Sequence, residues 1–167
     1  MSLELPITLN DVLTGSEKTL SLGRGGEKVS VKIPAGIETG KKLRISGKGG
    51  VSPSGGNRGD LYLLIKVKHH STFERDGSNL IVEKLIPFSA AALGTTLSVP
   101  TLEGKSMKVK VPPGFQSNGK LRLKGLGLPD GPKGPKGDLY VKISIEVPRA
   151  VTRGQEKIIQ DLAEAGL

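Results

Sequence analysis

The chain repeats itself. Moved along by 78 residues, Val31-Lys32-Ile33-Pro34-Ala35-Gly36-Ile37 falls on Val109-Lys110-Val111-Pro112-Pro113-Gly114-Phe115. Without a gap, Lys42-Leu43-Arg44-Ile45 then meets Lys120-Leu121-Arg122-Leu123, and Gly59-Asp60-Leu61-Tyr62-Leu63 meets Gly137-Asp138-Leu139-Tyr140-Val141. A frame kept through Gly/Pro-rich loops marks two copies of one supersecondary unit. The period exceeds the roughly 20–50 residues of solenoid repeats, so it predicts two similar small domains in tandem. In 167 residues each is near the size where a single core only just suffices.

The chain has no cysteine, so neither a disulfide nor a thiolate metal site can supplement those cores. That composition fits a reducing compartment. Met1-Ser2-Leu3-Glu4 leads straight into strand-like sequence with no signal-peptide pattern. No apolar run approaches the roughly 20 residues a membrane helix needs. The expectation is a soluble, cytoplasmic protein without a membrane partner.

The net charge of +9 is uneven. Residues 16–48 hold eight basic against three acidic side chains, a net +5, and residues 105–137 hold eight against one, a net +7. Basic charge therefore recurs in the same part of both repeats. Such faces serve solubility, or attract nucleic acid or acidic peptide.

Strands dominate. Val29-Ser30-Val31-Lys32-Ile33, Leu43-Arg44-Ile45, Leu80-Ile81-Val82 and Met107-Lys108-Val109-Lys110-Val111 alternate with the period of a half-buried sheet. Turn chemistry separates them at Gly23-Arg24-Gly25-Gly26, Pro34-Ala35-Gly36, Glu103-Gly104 and Pro112-Pro113-Gly114. The longest apolar runs, Leu61 to Val67 and Leu139 to Val147, predict central strands. Short helical turns are expected at Asn10–Leu13 and Ser89–Leu93, stopped by Gly15 and Gly94. The clearest helix is the last: Thr152 and Gln155 form a capping box, and Ile158, Ile159, Leu162 and Ala163 share one stripe. That stripe either packs on the second domain or pairs with a second copy. The fold class read from these patterns is mostly all-β: two tandem β-sandwich-like domains, 1–78 and 79–151, largely antiparallel, then a helix at 152–167.

Catalytic signals are poor. His69 and His70 are the only histidines, adjacent and so on opposite sides of any continuing strand. There is no G-x-S-x-G elbow and no Cys/His pair. Gly104-Lys105-Ser106 imitates the end of a phosphate loop, but Val99 stands where its first glycine belongs, so a hairpin turn is the better reading. Gly47-Lys48-Gly49-Gly50 reads as a connection. Asp60 and Asp138 read as turn-fixing carboxylates bonded to backbone N–H groups. No enzyme, cofactor or metal site is expected. Nucleic-acid binding rests on phosphate contacts alone, with Lys108, Lys110 and Lys120 as candidate residues, because few aromatics are present and both tyrosines lie in central strands.

Several segments resemble the C-terminal peptide-binding region of the DnaJ co-chaperones, the forty-kilodalton heat-shock family. They are Leu5-Pro6-Ile7-Thr8-Leu9-Asn10-Asp11-Val12-Leu13-Thr14-Gly15, the two Pro-Ala-Gly and Pro-Pro-Gly turns, Phe73-Glu74-Arg75-Asp76-Gly77, Val99-Pro100-Thr101-Leu102-Glu103-Gly104, Gly125-Leu126-Gly127-Leu128-Pro129 and Gly137-Asp138-Leu139-Tyr140. They span essentially the whole chain in order. The J-domain with its His-Pro-Asp motif and the Cys-rich zinc module are absent, so the resemblance is to the C-terminal part of a zinc-free member, nearest the bacterial curved-DNA-binding subgroup.

The resemblance implies non-catalytic binding of unfolded polypeptide clients, delivered to a DnaK-type chaperone. It implies a shallow apolar groove in the first domain, at positions matching Leu3, Leu5, Leu20, Leu22 and Leu63, with Lys18 on the rim to meet an acidic tail of the partner chaperone. From the residues alone these leucines read as core packing. It also implies a homodimer through the C-terminal helix, by Ile158, Ile159 and Leu162. DNA binding through the basic faces is the competing class.

Overall fold

The computed structural model describes residues 1–23 and 25–167. Arg24, counted above in the first basic segment and the first glycine-rich turn, lies outside the described residues.

The first unit comprises β1 (Ser2–Ile7), α1 (Leu9–Thr14), β2 (Ser16–Leu22), β3 (Glu27–Ile33), β4 (Lys42–Ile45) and β5 (Leu61–Val67). Strands β1, β5 and β4 form one sheet in that order, and β2 and β3 form a separate hairpin. The alternation of β3 puts Val29, Val31 and Ile33 inward, and β5 adds Leu61, Leu63 and Ile65. The second unit is built from β7 (Asn79–Pro87), α2 (Phe88–Leu93), β8 (Thr95–Pro100), β9 (Ser106–Val111), β10 (Lys120–Leu123) and β11 (Leu139–Glu146). Its sheet runs β10-β11-β7-β6, where β6 (Phe73–Asp76) is the strand that joins the units, and β8 and β9 make the matching hairpin. The last element is α3 (Arg153–Glu164).

The mostly β class, the tandem repeat and the short helices follow the sequence. Both apolar runs are interior strands, β5 and β11. The Thr152/Gln155 capping box is formed in both directions. Two features depart from expectation. In each unit one long strand pairing is parallel, β1 with β5 and β7 with β11, within an otherwise antiparallel set. The expected boundary after residue 78 also falls inside the β6–β7 turn: β6 precedes it in the chain yet pairs in the second unit's sheet.

The units meet closely. Gly36 has φ +74° in the Pro34-Ala35-Gly36 turn, and a Cβ there would sit 2.5 Å from the Pro129 carbonyl oxygen of the second unit. Across the same joint, Arg75 on β6 donates from Nη1 to the Ile37 carbonyl and from Nε to the Gly77 carbonyl, both at 2.9 Å. Burial lowers the pKa of this guanidinium, which still carries its charge because arginine starts so high.

Candidate functional site: an open edge on the first unit

The six predicted groove positions divide by depth. On β2, Lys18, Leu20 and Leu22 share one face and are all half-buried, while Glu17, Thr19 and Ser21 point to water. Leu3 on β1 is 38% exposed. Leu5 and Leu63 are different: both are core residues, and Leu63 is wholly buried as the Cα partner of Leu3 in the β1–β5 ladder. The groove position expected at Leu63 thus lies below the exposed strip, not on its surface. Central position in β5 puts that side chain beneath the sheet, where it supports Leu3 and offers no surface of its own.

What makes the site is an edge. Strand β1 ends its sheet, so its outer N–H and C=O groups face away from any partner strand. Strand β2 likewise pairs only with β3. Open edges beside half-covered leucines can accept an extended segment, with main-chain pairing giving affinity and apolar side chains filling the shallow strip.

The rim charge is already engaged. Lys18 Nζ lies 3.3 Å from Asp11 Oδ2 on α1. Asp11 is held in turn by the capping box: Thr8 N–H donates to Asp11 Oδ2 at 3.0 Å, and Asp11 N–H donates to Thr8 Oγ1 at 3.2 Å. Burial pushes the Asp11 carboxyl up, but the Thr8 N–H and the Lys18 ammonium more than offset it, leaving it below the usual carboxylate value. An acidic ligand reaching Lys18 must displace or share it with Asp11. Nothing in the sequence at Lys18 signals this pairing except the acidic third residue after the Thr8 cap.

The cavities described lie elsewhere. One of about 390 Å3 sits at the joint of the units, lined by Leu9, Val67, His70, Phe73 and Arg75. Another of about 690 Å3 lies beside Pro34 and Pro132. The two histidines do not continue a strand, since β5 stops at Val67. His70 instead accepts at Nδ1 from the N–H groups of Thr72 (3.0 Å) and Phe73 (3.2 Å), a structural task. Among the described residues no group of three or more His, Asp and Glu could hold a metal ion.

The paired aspartates act alike. Asp60 accepts from Gly47 N–H at 3.0 Å and binds Arg44; Asp138 accepts from Gly125 N–H at 3.0 Å and binds Arg122. Each ties its Gly-rich loop to the start of β5 or β11, reaching further back than the adjacent turn expected from sequence. The Gly47 N–H and the Arg44 guanidinium hold Asp60 below its ordinary value.

Lys108 and Lys110 project from the outer face of β9, and Lys120 lies opposite Lys142 across β10 and β11. They are not brought together with Lys18. Tyr62, expected in a central strand, is there but points outward and is partly exposed. Helix α3 has no buried residue at all, so Ile158, Ile159 and Leu162 do not pack on the second unit. No helix among the described residues is long and apolar enough to cross a membrane.

Comparison with known proteins agrees with this architecture. Residues 1–148 match the family model described as the DnaJ C terminal domain. The chain is 42% identical over 135 residues to the chaperone protein DnaJ of Leptospira biflexa, covering 81% of this chain and 36% of that protein. It is 45% identical over 135 residues to the chaperone protein DnaJ of Methanothermobacter thermautotrophicus, with the same two coverages. Against the chaperone protein DnaJ of Bacillus cytotoxicus the identity is 42% over 140 residues, 84% of this chain and 38% of that one. The chain thus spans a little over a third of these relatives' length. The family is non-enzymatic. With its duplicated β units and a model match across 1–148, this chain belongs to the DnaJ C-terminal domain family.

Proposed function

We propose that this chain is the client-binding region of a DnaJ-type co-chaperone, working in the cytoplasm, and that unfolded polypeptide lies along the open edge of the first unit. The observation carrying this is the contrast at one strand. Leu3 on β1 is 38% exposed, whereas its counterpart in the second unit, Val82 on β7, is 2% exposed beside its ladder partner Phe73 on β6. A sheet edge with half-covered leucines is costly to leave bare unless something uses it. Leu3, Leu20 and Leu22 would touch the client, over a floor of Leu5 and Leu63. Delivery to a DnaK-type chaperone follows from the family, and Lys18 would meet an acidic tail of that partner in competition with Asp11.

The test is Leu20→Ser with Leu22→Ser. Capture of a denatured model protein should fall several-fold while the circular-dichroism spectrum stays unchanged. Undiminished capture by the folded variant would refute the groove. The bare stripe of α3 supports a homodimer through Ile158, Ile159 and Leu162, giving two grooves that act together on one large client. Each aliphatic side chain so covered contributes roughly 1.5–3 kcal/mol. DNA binding is the second reading, favoured by exposed Lys108 and Lys110 on one face of β9. Reversing Lys108, Lys110 and Lys120 to Glu should then abolish DNA retention at low salt and spare client capture; no retention by the parent chain at low salt removes this reading.

A further inference from the structure

The cavity at the joint of the units combines apolar and basic lining. Leu9 and Phe73 are buried, Val67 is half-buried, and all three line it. Lys68, His70 and Arg75 line it as well. Its volume of about 390 Å3 lies in the range of roughly 300–1,000 Å3 usual for small-molecule sites, which set a few placed polar groups in an apolar lining.

The free donors can be counted. A guanidinium has five N–H donors, and Arg75 gives one from Nη1 to the Ile37 carbonyl and one from Nε to the Gly77 carbonyl. Among the described residues no carboxylate forms an ion pair with Arg75 or with Lys68. Glu38 acts on Arg75 only at longer range. A half-buried cation without a partner is costly, and an anion relieves that cost. His70 adds a donor that is already placed. Its Nδ1 accepts from the Thr72 and Phe73 N–H groups, so the neutral ring carries its proton on Nε2. The Phe73 ring stands beside it, centroids 5.2 Å apart. The imidazole is thus held by its own loop before any ligand arrives.

The loop donors belong to the joint and not to the repeat. In the second copy Lys68, His69 and His70 are matched by Glu146, Val147 and Pro148. The charge of the lining is also selective. Lys68 and Arg75 stand against Glu74, two cations to one anion, so with neutral histidines the net charge is +1. That balance suits a monoanion better than a phosphate dianion, and the guanidinium fork matches a planar carboxylate.

We propose that this cavity binds a small amphiphilic monocarboxylate, its apolar body against Leu9, Val67 and Phe73 and its carboxylate met by Arg75, Lys68 and the His70 Nε2–H. The site is separate from the client edge, since none of Leu3, Leu20 and Leu22 lines it. Strand β5 ends before the connecting loop and β6 begins after it. An occupant touching Val67 and Arg75 therefore bridges the two units and stiffens the loop between them.

Octanoate is the probe, and octanol supplies the same body without the charge. In isotope-labelled chain, octanoate should shift the His70 ring signals and the Thr72, Phe73 and Arg75 amides saturably. Octanol should bind on the order of tenfold more weakly, and so should octanoate to Arg75→Gln, because charge-assisted hydrogen bonds are lost. Arg75 also ties the joint, so two further variants keep the test open. Lys68→Glu alters an exposed side chain. His70→Asp keeps an acceptor for the two loop N–H groups while setting a negative charge in the cavity. Each should weaken octanoate by about threefold or more, the scale of a partly screened charge pair, with the amide spectrum otherwise unchanged. Equal affinity for octanol overturns the carboxylate site, as does unchanged affinity in both Lys68→Glu and His70→Asp. Shifts confined to Leu20 and Leu22 would make octanoate a mimic of the client at the open edge, and the proposal would fall. It falls equally if no signal moves.

Discussion

The first unit leaves β1 bare at its sheet edge, and the second covers the corresponding β7 with β6. The loop after β4 repeats the contrast. Leu126 and Leu128 in the second unit pack into the core, Leu128 completely, while Lys48 and Gly50 stand at those positions in the first. On the matching hairpin strands Val99 is fully buried, and its counterpart Leu20 is only half-buried. The helix starts differ too: Thr8 and Asp11 cap α1, whereas Pro87 and Ala90 occupy those places on α2 and no side chain caps it. One duplicated core thus supports two surfaces. The inward positions of β5 and β11 are matched as Leu61/Leu139, Leu63/Val141 and Ile65/Ile143, whereas on β1 and β7 the buried Leu5 is replaced by Lys84. The second unit covers its β7 edge and the loop after β10, while at the helix starts the order reverses, with Leu9 buried in the first unit and Phe88 exposed in the second.

If the cores are truly equivalent, the same deletion should cost the same in each. Leu61 and Leu139 are matched and wholly buried. Leu61→Ala and Leu139→Ala should each lose about 2–5 kcal/mol in urea unfolding; a cost below about 1 kcal/mol at either would end the equivalence. The paired turns should separate next. Gly114 and Gly36 both have positive φ, but only Gly36 lies against another backbone. Gly114→Ala should cost about 1 kcal/mol from conformational strain, and Gly36→Ala about 2–3 kcal/mol because the added methyl also forces the joint apart. The contrast can also be erased. At Gly50 a Cβ meets nothing within 4 Å and φ is not in the left-handed range. Gly50→Leu gives the first unit the leucine that Leu128 supplies at the matching position of the second. It should gain roughly 1 kcal/mol, part of what full burial of a leucine brings, and client capture should fall several-fold. Capture that stays at the parent level would separate the exposed leucines from the function.

Much of this is legible in the sequence. Period-two alternation identifies β3 and β9, because a half-buried strand must show it, the long apolar runs identify β5 and β11, and the Thr152 box identifies α3 because its chemistry is local. Long-range pairing leaves no such trace. Nothing near Ser2–Ile7 tells that it runs parallel to Leu61–Val67, and nothing in Phe73–Asp76 tells which sheet it joins. The groove was legible in part for the same reason. Leu20 and Leu63 look alike in sequence, yet depth depends on whether a strand has neighbours on both sides, and β5 has them while β2 has one. Lys18 read as a rim charge; that Asp11 already holds it needed the turn of α1 to bring the two together.

Acid should reveal the smallest difference. In the first unit, ordered structure holds three carboxyls below their ordinary values. Glu27 is lowered by Lys48 and Arg58, and Asp60 by the Gly47 N–H and Arg44. Asp11 is lowered once the Thr8 N–H and Lys18 outweigh its burial. In the second unit, Glu103 is lowered by Lys136. A carboxyl with a depressed folded value binds protons more readily when unfolded. Its stabilisation is therefore complete above the unfolded value, about pH 4, and is lost as pH falls through the lower folded value. Both units lose stability in that window, and the first should lose more. The exposed Asp11–Lys18 pair contributes only about 0.2–1 kcal/mol, since water screens it. Amide exchange at Val12 and Leu13 should accelerate below pH 4 before exchange at Ala91, and Asp11→Asn should remove most of that lead. Equal acceleration in both helices would show that the polar cap and rim ion pair of α1 give the first unit no pH dependence of its own.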